Sequence, residues 1–411
     1  MTRGGAGSAD AVPEVSTAPD TAAASTIPSS LFIRFLPVRR SSQYRNARRA
    51  APPEKVGSSS HADRSLTLAA YRAGMTWTRI LPGLAAVAAG IAFTPAADAA
   101  TGPLVQPLAT SAADQQAVFD YWTPARIAAL TQPSSDNPPK SAADGAPWTT
   151  ANAVTKTVGR LFYTDHGEDA SCTATVVDSA NHSTIVTAGH CVNDTDLIGE
   201  HNAWNAHLMF VPGYHDGQAP YGKFAARYGV ADATWLENDQ QNGAKFDTYD
   251  QAFAVLGKNT EGKTVQDAVG SAQKIGFDLP GDAEVTQFGY PRAASDPARE
   301  GLPEYIGERL AYCTGQARHW TGTPDTPDSP DQWGTACVMG GGSSGGPRLR
   351  DFDAGTGLGT VVGDNTHAGF FAADGTPCDS GKTDGCTRFL AGPQFSRAVT
   401  EPLYAAAEKQ S

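Results

Sequence analysis

No stretch of this chain holds the roughly 20 consecutive apolar residues that a bilayer-spanning helix needs. The apolar run Leu81 to Phe93 is only 13 residues, and Pro82, Gly83 and Gly90 interrupt it. A stable membrane anchor is therefore not expected. Metal-ligand spacings are missing too: there is no H-E-x-x-H, no C-x-x-C and no EF-hand loop, so no metal or other cofactor is expected. Positive charge is scarce after residue 99, where 20 Lys plus Arg face 37 Asp plus Glu, a net charge of −17. Such an acidic surface favours solubility and disfavours nucleic acid as a partner. Nothing repeats internally.

What is present begins at Met75. One Arg at position 79, the run Leu81 to Phe93 and the small residues Ala97-Asp98-Ala99 have the layout of a secretory signal and its cleavage site. Residues 75–99 are thus expected to be a signal peptide and the remainder a secreted protein. Residues 1–74 mix Ala, Ser, Pro and Arg without period, a composition that cannot bury a core, and they read as disordered or as an over-extended start. All six cysteines (Cys172, Cys191, Cys313, Cys337, Cys378 and Cys386) follow the signal, so three disulfides are expected in an oxidising compartment. Composition alone leaves all 15 pairings open.

Residues 100–153 read as a pro-segment and linker, the mark of a zymogen. An amphipathic helix over 101–130 would gather Ala113, Val118, Phe119, Tyr121, Trp122, Ile127 and Leu130, and the Pro- and Ser-rich Gln132 to Thr150 would follow as linker. From residue 154 to 411 the texture is β. Thr173–Val177, Ser183–Thr187, His207–Val211, Ala252–Leu256, Ala283–Phe288 and Gly359–Val362 are strand candidates, which points to an all-β sandwich or barrel. Thr321 to Trp333 and Ala372 to Arg388 read as loops, and Gln394 to Lys409 as a closing helix.

Two segments carry chemistry. Gly340-Gly341-Gly342-Ser343-Ser344-Gly345-Gly346-Pro347 has five glycines in eight positions, a backbone able to turn tightly and present N–H groups to a developing oxyanion. Thr187-Ala188-Gly189-His190-Cys191 ends a β-rich run in a histidine, the base that a serine hydroxyl needs to become a nucleophile. Gly342 to Gly346 also fits G-x-S-x-G, the nucleophile elbow of α/β-hydrolases. In that fold the histidine follows the acid, and here only His367 follows Ser344, too soon for the intervening elements.

Together, Thr-Ala-Gly-His-Cys at 187–191 and Gly-Ser-Ser-Gly-Gly-Pro at 342–347 resemble the signature segments of the trypsin-like, chymotrypsin-fold serine peptidases, specifically a secreted bacterial branch related to the glutamyl endopeptidases. The resemblance spans about residues 154 to 405. It implies two six-stranded antiparallel β-barrels with the active site between them and a C-terminal helix. It implies His190 as general base, Ser344 as nucleophile, and the N–H groups of Gly342 and Ser344 as oxyanion hole. The third member would be Asp250, which heads the apolar run Ala252 to Leu256, with Asp247 in reserve. The Cys172–Cys191 bridge is common in the family and would be worth about 3 kcal/mol in a loop-entropy picture; Cys313–Cys337 and Cys378–Cys386 complete the set.

Three positions depart from the pattern. Ser343 stands where digestive members place the Asp that pairs with a newly released N-terminus, so activation by that ion pair is not expected. Val338 stands where an acid would select Arg or Lys at P1. His367 is a candidate to receive a P1 carboxylate, as a histidine does in glutamyl endopeptidases, although its spacing differs. The reading is a monomeric endopeptidase acting on protein or peptide substrates; a catalytically silent binding protein on the same fold, and an esterase or amidase using the same triad, are the alternatives.

Overall fold

Alternating and fully apolar runs separated by Gly, Asn and Asp pair into nineteen short strands among the described residues of the computed structural model, which are 102–131, 145–194, 203–237, 247–292, 301–319, 332–372, 378 and 385–411. The expected signal peptide, residues 1–74 and positions 132–144 of the expected linker lie outside them. Strand β1 (Pro103–Pro107) opens the described chain, followed by helices α1 (Ala112–Tyr121) and α2 (Pro124–Ala129), then by β2 (Ala146–Pro147).

The next strands are β3 (Val158–Asp165), β4 (Glu168–Val176), β5 (Thr184–Thr187), the small pair β6 (Asn193–Asp194) and β7 (Ala203–Trp204), β8 (Ala206–Pro212), β9 (Phe224–Asp232) and β10 (Ala252–Leu256). Antiparallel pairing runs β3-β4-β5-β10-β9-β8 and returns to β3, so six strands close a barrel. β5 and β10 are buried on both faces. The inner face fills the barrel, and the C-terminal helix Thr400–Glu408 covers the outer one, where Tyr404 packs on Phe253.

The second body uses β11 (Lys274–Ile275), β12 (Glu284–Gly289), β13 (Ala311–Gln316), β14 (Arg318–His319), β15 (Gln332–Ala336), β16 (Pro347–Asp353), β17 (Leu358–Asp364), β18 (His367–Phe371) and β19 (Thr387–Pro393). Its ladders form two sheets, β11-β17-β16-β12-β13-β2 and β14-β15-β19-β18, in place of one continuous ring, and β11 joins β17 in parallel. Side chains close the seam. The buried guanidinium of Arg348, on β16, donates to the carbonyls of Trp333, Gly392 and Pro393 on β15 and β19, and the Cys313–Cys337 disulfide ties β13 to the end of β15. The two-barrel, all-β expectation of chymotrypsin type is met, and all six strand candidates are strands.

Three local expectations change. Residues 101–130 are not one helix: Pro103 and Pro107 hold an extended run, and β1 pairs along its whole length with the second half of β9, which β8 leaves open. Ser111 then caps α1 reciprocally with Asp114, and Thr123 caps α2 with Pro124 at its first position. The end of the expected linker belongs to the second barrel, because Ala146 and Pro147 pair with β13. The closing helix starts at Thr400, since Gln394 and Phe395 still bridge to β17 and Ser396 caps the turn that precedes the helix. Of the two expected loops, 320–331, 373–377 and 379–384 lie outside the described residues, while Gln332 and Trp333 are strand.

Trp122 shows how firmly residues 102–131 are seated. Its ring is 0 % exposed, packs against Phe162 of β3, and donates from Nε1 to the carbonyl of His207 at 2.6 Å. Trp122→Ala is expected to lower unfolding free energy by about 3–5 kcal/mol, as buried aromatic truncations do, read from urea denaturation followed by circular dichroism.

Candidate active site

β5 delivers the chain into a single 3-10 turn, Gly189–Cys191, and the bond from Cys191 to Cys172 fastens that turn to β4. The register Ala252↔Thr187 between β10 and β5 brings the residue two before Ala252 alongside the residues that follow Thr187. Asp250 is that residue. Its side chain is 2 % exposed, Oδ2 lies 3.0 Å and Oδ1 3.1 Å from His190 Nδ1, and the His190 backbone N–H donates to Oδ1 at 2.9 Å. A proton on Nδ1 shared with this carboxylate makes Nε2 the ring's accepting nitrogen. Burial by itself would push the Asp250 carboxyl up; the charge and hydrogen bonds of His190, aided by His367, outweigh it and hold the group below the usual carboxylate range. Asp247, the reserve acid, sits one turn earlier with Oδ1 3.3 Å from His367 Nε2.

Ser344 enters from the second barrel on the loop ahead of β16. Gly342 and Gly345 have φ of +92° and +74°, the left-handed region in which a side chain is strained. A Cβ on Gly345 would also collide with Thr187 Oγ1 and the Thr173 carbonyl and lie 2.8 Å from Ala188 N, so the loop rests directly on the residues that lead to His190. Thr173, next to Cys172, holds it there: its N–H donates to the Ser344 carbonyl at 2.7 Å, and its hydroxyl donates to the Gly342 carbonyl at 2.9 Å while accepting from Tyr290 N–H at 2.9 Å. The N–H groups of Gly342 and Ser344 themselves donate to no protein acceptor among the described residues. His190 with its acid thus stands on the first barrel, and the second barrel's Ser344 loop, with its two uncommitted amides, is tied by Thr173 to the strand whose Cys172 is bonded to Cys191. The fold is that of the trypsin-like serine peptidases.

No protein-family model matches the chain, and no curated protein matches it either. Among solved structures it is similar to the protease Anisep from Arthrobacter nicotinovorans (28% identity over 63% of this chain and 99% of that one, TM-score 0.48). It is similar also to the thermostable serine protease AL20 from an extremophilic microorganism (29% identity, 63% and 100%, TM-score 0.49) and to a Glu endopeptidase (16% identity, 66% and 99%, TM-score 0.45).

The departures from the family pattern have structural counterparts. The Ser343 hydroxyl is buried and donates to the Gly340 carbonyl at 2.5 Å. Val338 is buried in a cluster with Tyr305, and Gly145 lies close enough that a Cβ there would meet Val338 Cγ2 at 2.5 Å. The charge beside this segment belongs to Arg388 on β19, a buried cation that donates from Nη1 to the Val338 and Met339 carbonyls at 3.0 and 2.9 Å. His367, offered as a carboxylate receiver, is drawn to Asp247. The three disulfides are Cys172–Cys191, Cys313–Cys337 and Cys378–Cys386. Cys172, His190 and Cys191 cluster closely, but both sulfurs are spent in the disulfide and offer no thiolate to a metal. Sequence reasoning missed Thr173, Asn365 and Arg388; only the position of Thr173 beside Cys172 could have signalled a part in the site.

The Asp250 carboxyl titrates lower in the folded chain than its ordinary 3.8. Its ionisation therefore contributes stability that is complete above that value and is lost as pH falls through the lower folded value. Urea midpoints of the parent and Asp250→Asn are expected to differ at pH 6 and to converge below pH 4, the parent losing the more.

Proposed function

We propose that the protein is an exported serine endopeptidase in which His190, Asp250 and Ser344 act as the triad and the N–H groups of Gly342 and Ser344 as the oxyanion hole. The observation that carries this reading is the buried Asp250 carboxylate bound to Nδ1 and to the backbone N–H of His190. In the first step Ser344 Oγ attacks the scissile carbonyl carbon and passes its proton to His190 Nε2. Charge developing on the carbonyl oxygen is met by the two amides, while Asp250 stabilises the imidazolium. The tetrahedral species collapses as the imidazolium gives its proton to the departing amine, leaving an acyl ester on Ser344. Water then attacks that ester with His190 again taking the proton, and the second collapse returns it to Ser344 Oγ.

Export is supported by three disulfides, which fit an oxidising compartment, together with the signal-like residues 75–99. No helix among the described residues is long and apolar enough to cross a membrane. With Ser343 committed to Gly340, we infer that no N-terminal ion pair completes the site.

The decisive test is hydrolysis of denatured casein with and without a phosphonyl fluoride. Ser344→Ala is expected to lower kcat by about 10⁶ and to take up no reagent; Asp250→Asn should cost about 10⁴. Folded, mature protein that neither cuts casein nor reacts at Ser344 would favour a silent binding role, and turnover of small esters alone would favour an esterase.

Val338, neutral and buried, stands where a basic-selective enzyme carries an acid. Peptides with Arg or Lys at P1 are accordingly expected to be cut at least about tenfold more slowly than matched peptides with neutral P1, since no acid at that position pairs with the buried cation; tenfold in rate corresponds to about 1.4 kcal/mol. Sequencing the casein fragments checks this, and cuts concentrated after Lys and Arg would overturn it.

A further inference from the structure

Asn365 lies at the junction of β17 and β18 and is 0 % exposed. Each of its polar atoms is used. Its backbone N–H donates to the Gly346 carbonyl at 2.9 Å, and its carbonyl accepts from Gly345 N–H at 2.7 Å. From Nδ2 it donates to the carbonyls of Ser343 (3.2 Å) and Phe288 (2.9 Å), and Oδ1 accepts from Gln287 Nε2 at 2.7 Å. Gln287 is itself saturated: Nε2 donates also to the Leu390 carbonyl, and Oε1 accepts from the N–H and hydroxyl of Thr335. This relay crosses the second barrel from β15 through β12 to the loop that carries Ser344.

From this network we propose that Asn365 is a positioning residue that aims the Ser344 N–H at the oxyanion. The inference rests on the serine-peptidase reading above. In a planar trans peptide the carbonyl and the N–H point in opposite directions. Gripping the Ser343 carbonyl from inside the barrel therefore turns the Ser344 N–H outward, away from Asn365. The other oxyanion amide is set in the same manner, because the carbonyl of the Gly341–Gly342 peptide accepts from Arg292 N–H at 2.5 Å. The Ser343 carbonyl has a second donor, Gly346 N–H at 3.0 Å, so loss of Asn365 loosens the peptide without releasing it. Outright removal of an oxyanion donor costs about 10² to 10³ in rate, and a donor left in place but loosely aimed should cost about 10 to 10². The loss should fall on kcat, since the ground-state carbonyl asks less of this amide than the oxyanion does.

The experiment compares the mature parent with Asn365→Ala and with Gln273→Met, whose equally buried amide joins Thr157, Gly357 and Gly359 away from the site. Steady-state hydrolysis of one peptide substrate is measured beside inhibition by a peptidyl aldehyde, which forms a tetrahedral adduct, and by the product peptide, which does not. A kcat lowered about 10- to 100-fold at unchanged KM, with aldehyde affinity falling in parallel and product affinity intact, supports the role, provided Gln273→Met loses stability but keeps kcat within about twofold. Parent-like kcat in Asn365→Ala, or equal losses in both variants, overturns it. Where Asn365→Ala does not fold, Thr335→Val decides, since it removes only the hydroxyl at the far end of the relay: a several-fold fall in kcat at constant KM supports the role, and an unchanged kcat overturns it. A parent that neither turns over peptide nor reacts with phosphonyl fluoride sinks the peptidase reading and this inference with it, whereas an active parent beside an equally active variant sinks the inference alone.

Discussion

Thr173 reaches from the first barrel into the second with a backbone N–H and a hydroxyl, and the relative position of Ser344 and His190 depends on where those two groups land. Its N–H fixes the Ser344 carbonyl and its hydroxyl the Gly342 carbonyl. Its own carbonyl accepts from Thr187 Oγ1, three residues before His190, and its neighbour Cys172 is bonded to Cys191. One residue thus joins the loop that carries the hydroxyl to the turn that carries the imidazole. A displacement of about 1 Å between reacting groups can cost two orders of magnitude in rate, so a bridge of direct hydrogen bonds and one covalent bond is what two separately folded barrels need at their seam.

The second barrel answers this rigidity with an interior that is polar to an unusual degree. Arg348, Asp364, Gln287 and Asn365 are all fully buried. Burial holds the Asp364 carboxyl well above its ordinary value and the Asp250 charge adds to the effect, against the pull of Arg348, whose own guanidinium burial lowers to about 10. An interior of this kind is costly unless its members are satisfied. Arg348 donates from both Nη atoms to carbonyls across the seam between the two sheets, and Gln287 and Asn365 use every side-chain polar atom, whereas Arg348 Nε and both Asp364 carboxyl oxygens have no hydrogen-bond partner among the described residues. The seam that a continuous β-ladder would have closed is closed instead by side chains, of which Asn365 also braces the loop that carries Ser344.

Much of this was legible in the residues. Thr187–Cys191 and Gly340–Pro347 pointed to the candidate site through the family resemblance that they carry together. Asp250 was legible through the apolar strand behind it. What could not be read was anything set by contacts between distant segments: Asn365 and Arg388 look like ordinary loop and strand residues until the barrel closes around them. The partner of His367 was hidden for the same reason, since nothing local announces that Asp247 will lie 3.3 Å away. The helix expected over 101–130 failed on period, because Pro103 and Pro107 favour an extended chain and the edge of β9 stood ready to pair with it.

The placement of residues 102–131 bears on what that segment does. It adds β1 to the edge of β9, buries Trp122, Ile127 and Leu130, and receives at the Leu130 carbonyl a hydrogen bond of 2.8 Å from Arg160, a guanidinium buried between Phe162 and Tyr214. Arg126 reinforces the hold through Asp169 at 2.8 Å. Burial of three large apolar side chains is worth several kcal/mol, at roughly 1.5–3 kcal/mol each, and none of the hydrogen bonds formed by these residues goes to His190, Asp250 or Ser344. A segment held so tightly to the outside of the first barrel adds its buried side chains and hydrogen bonds to the barrel that carries His190.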